Sequence, residues 1–141
     1  MVGCIMEFFH GSCLCKRVQF EVSGVPFDDC ICHCTDCRQA CGAPFLAWVS
    51  FKADALTVTH GGPKWYDSSQ KARRGFCGDC GTQLFFQNHK FPADIDIATA
   101  CLAEASELAP TCHIWVRSKL DWVRVDDLPA YDTFRAPTGD T

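Results

Sequence analysis

Arg74-Gly75-Phe76-Cys77-Gly78-Asp79-Cys80-Gly81-Thr82 is the stretch from which the fold can be read. Two cysteines separated by two residues form a tight turn that aims both sulfurs at one point, ~2.3 Å from each, as a zinc ion requires. Gly81, just after the second cysteine, supports such a turn by tolerating a positive φ. One pair cannot close a four-sulfur site. Cys13-Leu14-Cys15 is the nearest clean partner, and joining the pairs ties residue 15 to residue 77. The competing use of Cys77 and Cys80 is a thioredoxin-type redox dithiol. That use calls for a βαβ setting, whereas the neighbouring segments here read as antiparallel strands.

Cysteine is abundant throughout, with 12 in 141 residues. A short secreted chain of that kind is read as a disulfide scaffold. Here 48% of residues are hydrophobic, and a chain of this length can build one apolar core without disulfide staples. The opening Met1-Val2-Gly3-Cys4-Ile5-Met6-Glu7-Phe8-Phe9 lacks a basic segment and carries Glu7 in its apolar part, so it does not read as a signal peptide. The longest apolar run, about 43–49, is far too short to cross a membrane. A cytoplasmic, reducing setting is expected, where close cysteine pairs mean metal or redox chemistry. The net charge of −4 and the lack of a long Lys/Arg block argue against nucleic-acid binding. Lys71, Arg73 and Arg74 form the densest basic group, suited at most to a small anion.

Strand-like alternation or short apolar runs occur at 19–22, 45–51, 56–60, 82–87, 95–97, 113–116 and 122–125. Turn residues such as Ser23-Gly24 and Gly61-Gly62-Pro63 punctuate them. The pattern predicts an all-β, mainly antiparallel domain over residues 1–134, followed by a mobile tail at 135–141. Residues 98–108 hold helix formers and are expected to give a short helix or turn, and 36–40 one helical turn.

The middle cluster is Cys30-Ile31-Cys32-His33-Cys34-Thr35-Asp36-Cys37, with Cys41 just beyond. A strand would align Cys30, Cys32 and Cys34 on one face. A knuckle would instead use Cys32, Cys34 and Cys37. Either gives three ligands, and three protein ligands leave a zinc ion an open position, the mark of a catalytic site. Cys41, His33 or Cys30 as a fourth ligand would close it and make it structural. Cys4, Cys101 and Cys112 read as small buried hydrophobes, and His113 as a core or rim histidine.

Taken together, Gly11-Ser12-Cys13-Leu14-Cys15, Cys32-His33-Cys34-Thr35-Asp36-Cys37-Arg38 with Gly42-Ala43-Pro44-Phe45, and the Cys77–Cys80 stretch resemble the glutathione-dependent formaldehyde-activating enzyme family. That family includes the centromere protein V-like proteins. His113-Ile114-Trp115-Val116, Trp122 and Asp127-Leu128-Pro129 are similar to its C-terminal part. The resemblance implies an Mss4-like fold with few short helical turns. It also implies two zinc ions per chain, one structural on Cys13, Cys15, Cys77 and Cys80 and one catalytic-type on Cys32, Cys34 and Cys37. The chain departs from the family at Lys16, where many relatives have glycine, and at Cys41, where Ser or Thr is common.

The implied activity is that of a carbon–sulfur lyase forming or processing a glutathione–aldehyde adduct such as S-hydroxymethylglutathione. Another thiol or aldehyde, or a non-catalytic zinc module, are the alternatives. Three thiolates leave the zinc with net negative charge and make it a poor Lewis acid, which favours thiol binding over carbonyl activation. Glutathione carries two carboxylates, for which Arg38, Arg73 and Arg74 are the candidate partners. Trp48, Trp65 and Tyr66 are candidate pocket walls.

Overall fold

The computed structural model describes residues 7–135. Cys4 and all of the expected tail except Arg135 lie outside them. The elements run β1 (Phe8–Ser12), β2 (Gln19–Ser23), β3 (Phe27–Cys32), α1 (Thr35–Cys41), β4 (Leu46–Lys52), β5 (Leu56–His60), β6 (Lys64–Asp67), β7 (Ala72–Phe76), β8 (Gln83–Asn88), β9 (Asp94–Ala98) and β10 (His113–Ile114). Single 3-10 turns at Ala53–Ala55, Thr99–Cys101, Ala105–Glu107 and Val116–Ser118 join them. One sheet has the order β1-β2-β5, the other β10-β3-β4-β9-β8-β7-β6. Every strand pairing is antiparallel except that of the two-residue β10 with β3.

Side-chain alternation gives the larger sheet two different apolar faces. Val49 and Phe51 of β4, Phe85 of β8, and Ile95 and Ile97 of β9 meet Phe9, Val18, Phe20 and Val22 from the smaller sheet. Phe20 meets Phe85 edge-on at 4.9 Å, and Phe9 lies 5.5 Å from Phe51. This contact between sheets is the main core. The intervening residues, Trp48 of β4, Phe86 of β8 and Ala98 of β9, face the other way. They form a second, smaller cluster with Cys30, Cys32, Cys37 and Cys112.

Pairing shifts at the end of β7, where Gly75 lies opposite Phe85 but Phe76 opposite Gln83. The extra residue, Leu84, turns into the main core beside Phe85. Such a bulge bends the strand that carries it, here β8 just after the Cys77–Cys80 turn.

Four strands carry no clear sequence signal: β1, β3, β6 and β7. β7 is Ala-Arg-Arg-Gly-Phe and lacks an apolar alternation, yet it is held on both sides by β6 and β8. Two expected strands are corrected. Residues 122–125 are not a strand. Val123 N–H donates to Leu120 O, and Lys119 Nζ donates to both Leu120 O and Val123 O, which curls the chain into a turn. At 113–116 only His113–Ile114 pairs, because Trp115 adopts φ 57° and starts a 3-10 turn. Residues 98–108 form two isolated 3-10 turns, which is the turn alternative of the expectation.

Gly11 sits beneath the Phe20 ring, and a Cβ there would meet ring atoms at 2.2 to 2.9 Å. Gly62 has open space around the same position. Gly11→Ala is expected to lower stability by about 1–3 kcal/mol through overpacking, while Gly62→Ala stays close to wild type in chemical denaturation.

On the second face, burial pushes the Asp96 carboxyl up to about 6, although Ser50 Oγ–H donates to it. The folded state therefore binds this proton more tightly than the unfolded state does. Stability falls as pH rises from the ordinary carboxylate range through about 6. Asp96→Asn removes that loss and keeps an acceptor for Ser50. Its Tm is expected to exceed wild type by more at pH ~7 than at pH ~5. A gap of constant size would rule the linkage out.

Candidate metal centres

Cys13, Cys15, Cys77 and Cys80 bring their four sulfurs within 4.8 Å of one another, although 62 residues separate the inner pair members, Cys15 and Cys77. The first pair lies in the turn after β1, the second in the turn between β7 and β8. The set therefore joins the two sheets. The turns are alike in construction. Gly81 takes φ 82° and donates its N–H to Cys77 O at 2.8 Å. Lys16 takes φ 69° and donates to Cys13 O at 3.2 Å. Thus the lysine in a familiar glycine place occupies the left-handed conformation that favours glycine, at a cost of about 1–2 kcal/mol.

Backbone and hydroxyl donors already surround these sulfurs. Val18 N–H donates to Cys13 Sγ, and Asp79 and Cys80 N–H donate to Cys77 Sγ, at 3.3 to 3.4 Å. Contacts with the Thr82 hydroxyl and N–H draw the Cys80 thiol down to about 5. Such donors stabilise thiolate, the form a metal binds.

Cys32, Cys34 and Cys37 form a second three-sulfur set within the same distance limit. Cys32 ends β3, Cys34 caps α1, and Cys37 lies in its first turn. The Cys34 sulfur accepts from Cys37 N–H at 3.3 Å, so a ligand sulfur also supplies the helix N-cap. Hydrogen bonds from Cys32 and Cys37 hold the Cys34 thiol well below its ordinary range, while its partner Cys32 is pushed up. The set lies on the face of the large sheet opposite the main core, against Trp48 and Phe86.

None of the other candidate ligands joins it. The Cys41 thiol donates to Cys37 O at 3.0 Å, one helical turn back. His33 is fully buried, and its Nε2 lies 2.9 Å from His113 Nδ1. His113 Nε2 in turn lies 2.9 Å from Asp126 Oδ1. Burial, followed by the nearby His113 charge, pushes His33 down to about 4, which favours the neutral ring. Cys30 is buried on the same strand face but outside the three-sulfur set.

The three arginines take three different places. Arg38 lies on α1 and donates to His33 O, Thr35 Oγ1 and Ser118 O. It also lines a surface groove of about 310 Å³ with Gln39, Gly42, Ala43, Pro44, Leu120 and Trp122. Arg73 lies on the main-core side, 3.9 Å from the Trp65 ring centroid and hydrogen-bonded to Gln87. Arg74 points to the other side and is buried, with both Nη groups donating to Cys37 Sγ at 3.6 Å. Trp48 Nε1–H reaches the same sulfur at 3.4 Å. Trp65 packs against the main core, away from the second set, and Tyr66 is exposed.

The residues fit metal ions on the chemistry of the donor sets. Seven thiols converge in two groups, and a guanidinium is buried against one of them with no carboxylate in ion-pair range among the described residues. The contacts of Trp48 and Arg74 with Cys37 could not be read from spacing. They depend on the register that sets Arg74 opposite Phe86 and Cys30 opposite Trp48.

The glutathione-dependent formaldehyde-activating enzyme model matches residues 8–118. An uncharacterised lyase of Schizosaccharomyces pombe is 37% identical over 82 residues, which cover 57% of this chain and 58% of that protein. A Phaeosphaeria nodorum protein, provisionally named a glutathione-dependent formaldehyde-activating enzyme, is 35% identical over 86 residues, or 56% of this chain and 45% of that one. The chain thus spans about half the length of these curated relatives. A crystal structure of a Rhodobacter sphaeroides protein shares the fold, with TM-score 0.57, 21% identity, and coverage of 86% of this chain and 98% of that one. Among the described residues no helix is long and apolar enough to cross a membrane.

The first sulfur set links two sheets, whereas the second spans only a strand end and the helix that follows it. Cys80→Ala is therefore expected to lose the cooperative unfolding transition seen by circular dichroism. Cys34→Ala should retain it, with stability lowered by no more than about 2 kcal/mol for the lost helix cap. Equal loss of folded protein from both substitutions would contradict the division.

Proposed function

The chain belongs to the glutathione-dependent formaldehyde-activating enzyme family, and from that premise we propose that it is a zinc-dependent carbon–sulfur lyase. Its reaction forms or processes a thiol–aldehyde adduct, with glutathione as the thiol. In this reading Cys13, Cys15, Cys77 and Cys80 hold a structural zinc, and Cys32, Cys34 and Cys37 hold the zinc of the active centre. The observation that carries the reading is that no fourth side chain among the described residues joins the second set. The Cys41 thiol donates to Cys37 O and His33 Nε2 meets His113 Nδ1, and neither side chain joins the three-sulfur set. Three protein ligands leave a position for a substrate group, whereas the four-sulfur set is closed.

When bound, zinc at the second set would depress the pKa of a thiol taking the remaining position. The chain's own residues do the rest. Cys34 and Cys37 are locked by the helix cap, so the position faced by an incoming thiol is fixed. Trp48 and Phe86 give the set a low-dielectric floor, which strengthens every charge interaction there. Arg38 is the arginine that lines the groove beside α1, and it is assigned to a glutathione carboxylate. Arg73 lies on the opposite face and Arg74 is committed to Cys37. Holding thiol and aldehyde together supplies catalysis chiefly through proximity.

Exchange NMR of formaldehyde with glutathione is the direct test. Zinc-loaded protein should speed adduct exchange, and Cys34→Ala should remove the acceleration while remaining folded. Arg38→Gln should raise the glutathione concentration for half-maximal effect about tenfold, as expected for one lost charge-assisted hydrogen bond. No acceleration by wild type at full zinc loading would overturn the proposal.

A further inference from the structure

Arg74 is 6% exposed in the middle of β7, and among the described residues no carboxylate lies within ion-pair distance of it. A buried guanidinium does not shed its proton, and burial without a counter-charge is severely destabilising. Its polar contacts are two hydrogen bonds, from Nη1 and Nη2, to the single sulfur of Cys37. Its charged plane lies 5.0 Å from the Phe86 ring centroid. Trp48 Nε1–H completes a group of three N–H donors on that sulfur. Cys34 Sγ receives one backbone N–H. Cys32 Sγ receives no N–H from the described residues.

The three thiolates and a divalent ion sum to one negative charge. Arg74 cancels it. A fourth thiolate then brings the buried group to one negative charge rather than two. A neutral ligand gains nothing from this cancellation. Cys32 and Cys37 are both 4% exposed, so the difference is felt at low dielectric, where charge interactions are strengthened.

We propose that Arg74 is a specificity-determining positioning residue, whose fixed charge on Cys37 makes the second centre accept an anionic fourth ligand, a thiolate, over a neutral one. It acts through Cys37 and does not touch the incoming group. The assignment rests on the reading that Cys32, Cys34 and Cys37 hold a metal with a free position.

Cobalt(II)-loaded protein provides a readout that does not depend on turnover. The sulfur-to-cobalt and ligand-field bands report what occupies the free position. The probes are 2-mercaptoethanol, whose sole ionisable group is the thiol, and imidazole, which binds neutral. Arg74→Met keeps an unbranched apolar stem to pack near Phe86 and removes the charge. Arg74→Lys keeps the charge without the fork. Relative to wild type, Arg74→Met should bind the thiol at least about tenfold more weakly and imidazole within about twofold. Arg74→Lys should recover most of the preference. Equal weakening of both ligands, no change in either, or a lysine variant as unselective as the methionine one would overturn the proposal. Where Arg74→Met does not fold, the lysine variant decides: wild-type-like preference supports the charge role, and loss of preference overturns it. A wild type that takes up one cobalt ion, or whose spectrum responds to neither ligand, overturns the underlying reading of the second centre and the role of Arg74 with it.

Discussion

Four sulfur atoms from two distant turns have to meet within 4.8 Å, and most of the architecture follows from that requirement. One turn belongs to the three-stranded sheet and the other to the seven-stranded sheet. Their meeting fixes how the sheets lie on one another, and the Phe9, Phe20, Phe51 and Phe85 contacts fill the space between them. A metal ion at such a site adds on the order of 10 kcal/mol to folding, comparable to the whole net stability of a domain this size. A left-handed lysine at position 16 and a bulge at Leu84 lie at these turns.

The large sheet then acts as a partition. Its inward residues build the core with the small sheet, and its outward residues build the floor of the second sulfur set. Adjacent residues accordingly have unrelated tasks. Arg73 stacks on Trp65 at one face, while Arg74 donates to Cys37 at the other. The same alternation puts Phe85 in the core and Phe86 under the second cysteine set. The four-sulfur set and the three-sulfur set are thereby kept on opposite sides of a single sheet, each with its own donors.

Much of this could be read in the sequence because cysteine spacing is a local property. Cys77-x-x-Cys80 followed by Gly81 declares a turn, and an antiparallel β domain follows from short, punctuated apolar runs. What could not be read depends on register or on polar contacts. β7 has the composition of a loop and becomes a strand because neighbours hold both its edges. Residues 122–125 look like a strand but do not pair, and Lys119 draws the carbonyls of Leu120 and Val123 together at a turn. Cys41 offered itself as a fourth ligand, but helix geometry gives its thiol the Cys37 carbonyl instead. Arg74 read as a cation suited to a carboxylate, and only the pairing of β7 with β8 reveals it as a buried guanidinium against a sulfur cluster.

The central claim is that one sulfur set is closed and the other is open. Native mass spectrometry of the zinc-loaded chain, combined with zinc-edge X-ray absorption on the same sample, tests it most directly. Two zinc ions per chain, with an average sulfur number between three and four and a lighter scatterer completing the shell, is the result expected from the geometry. A single zinc surrounded by four sulfurs, or two zincs each with four protein sulfurs, would contradict it.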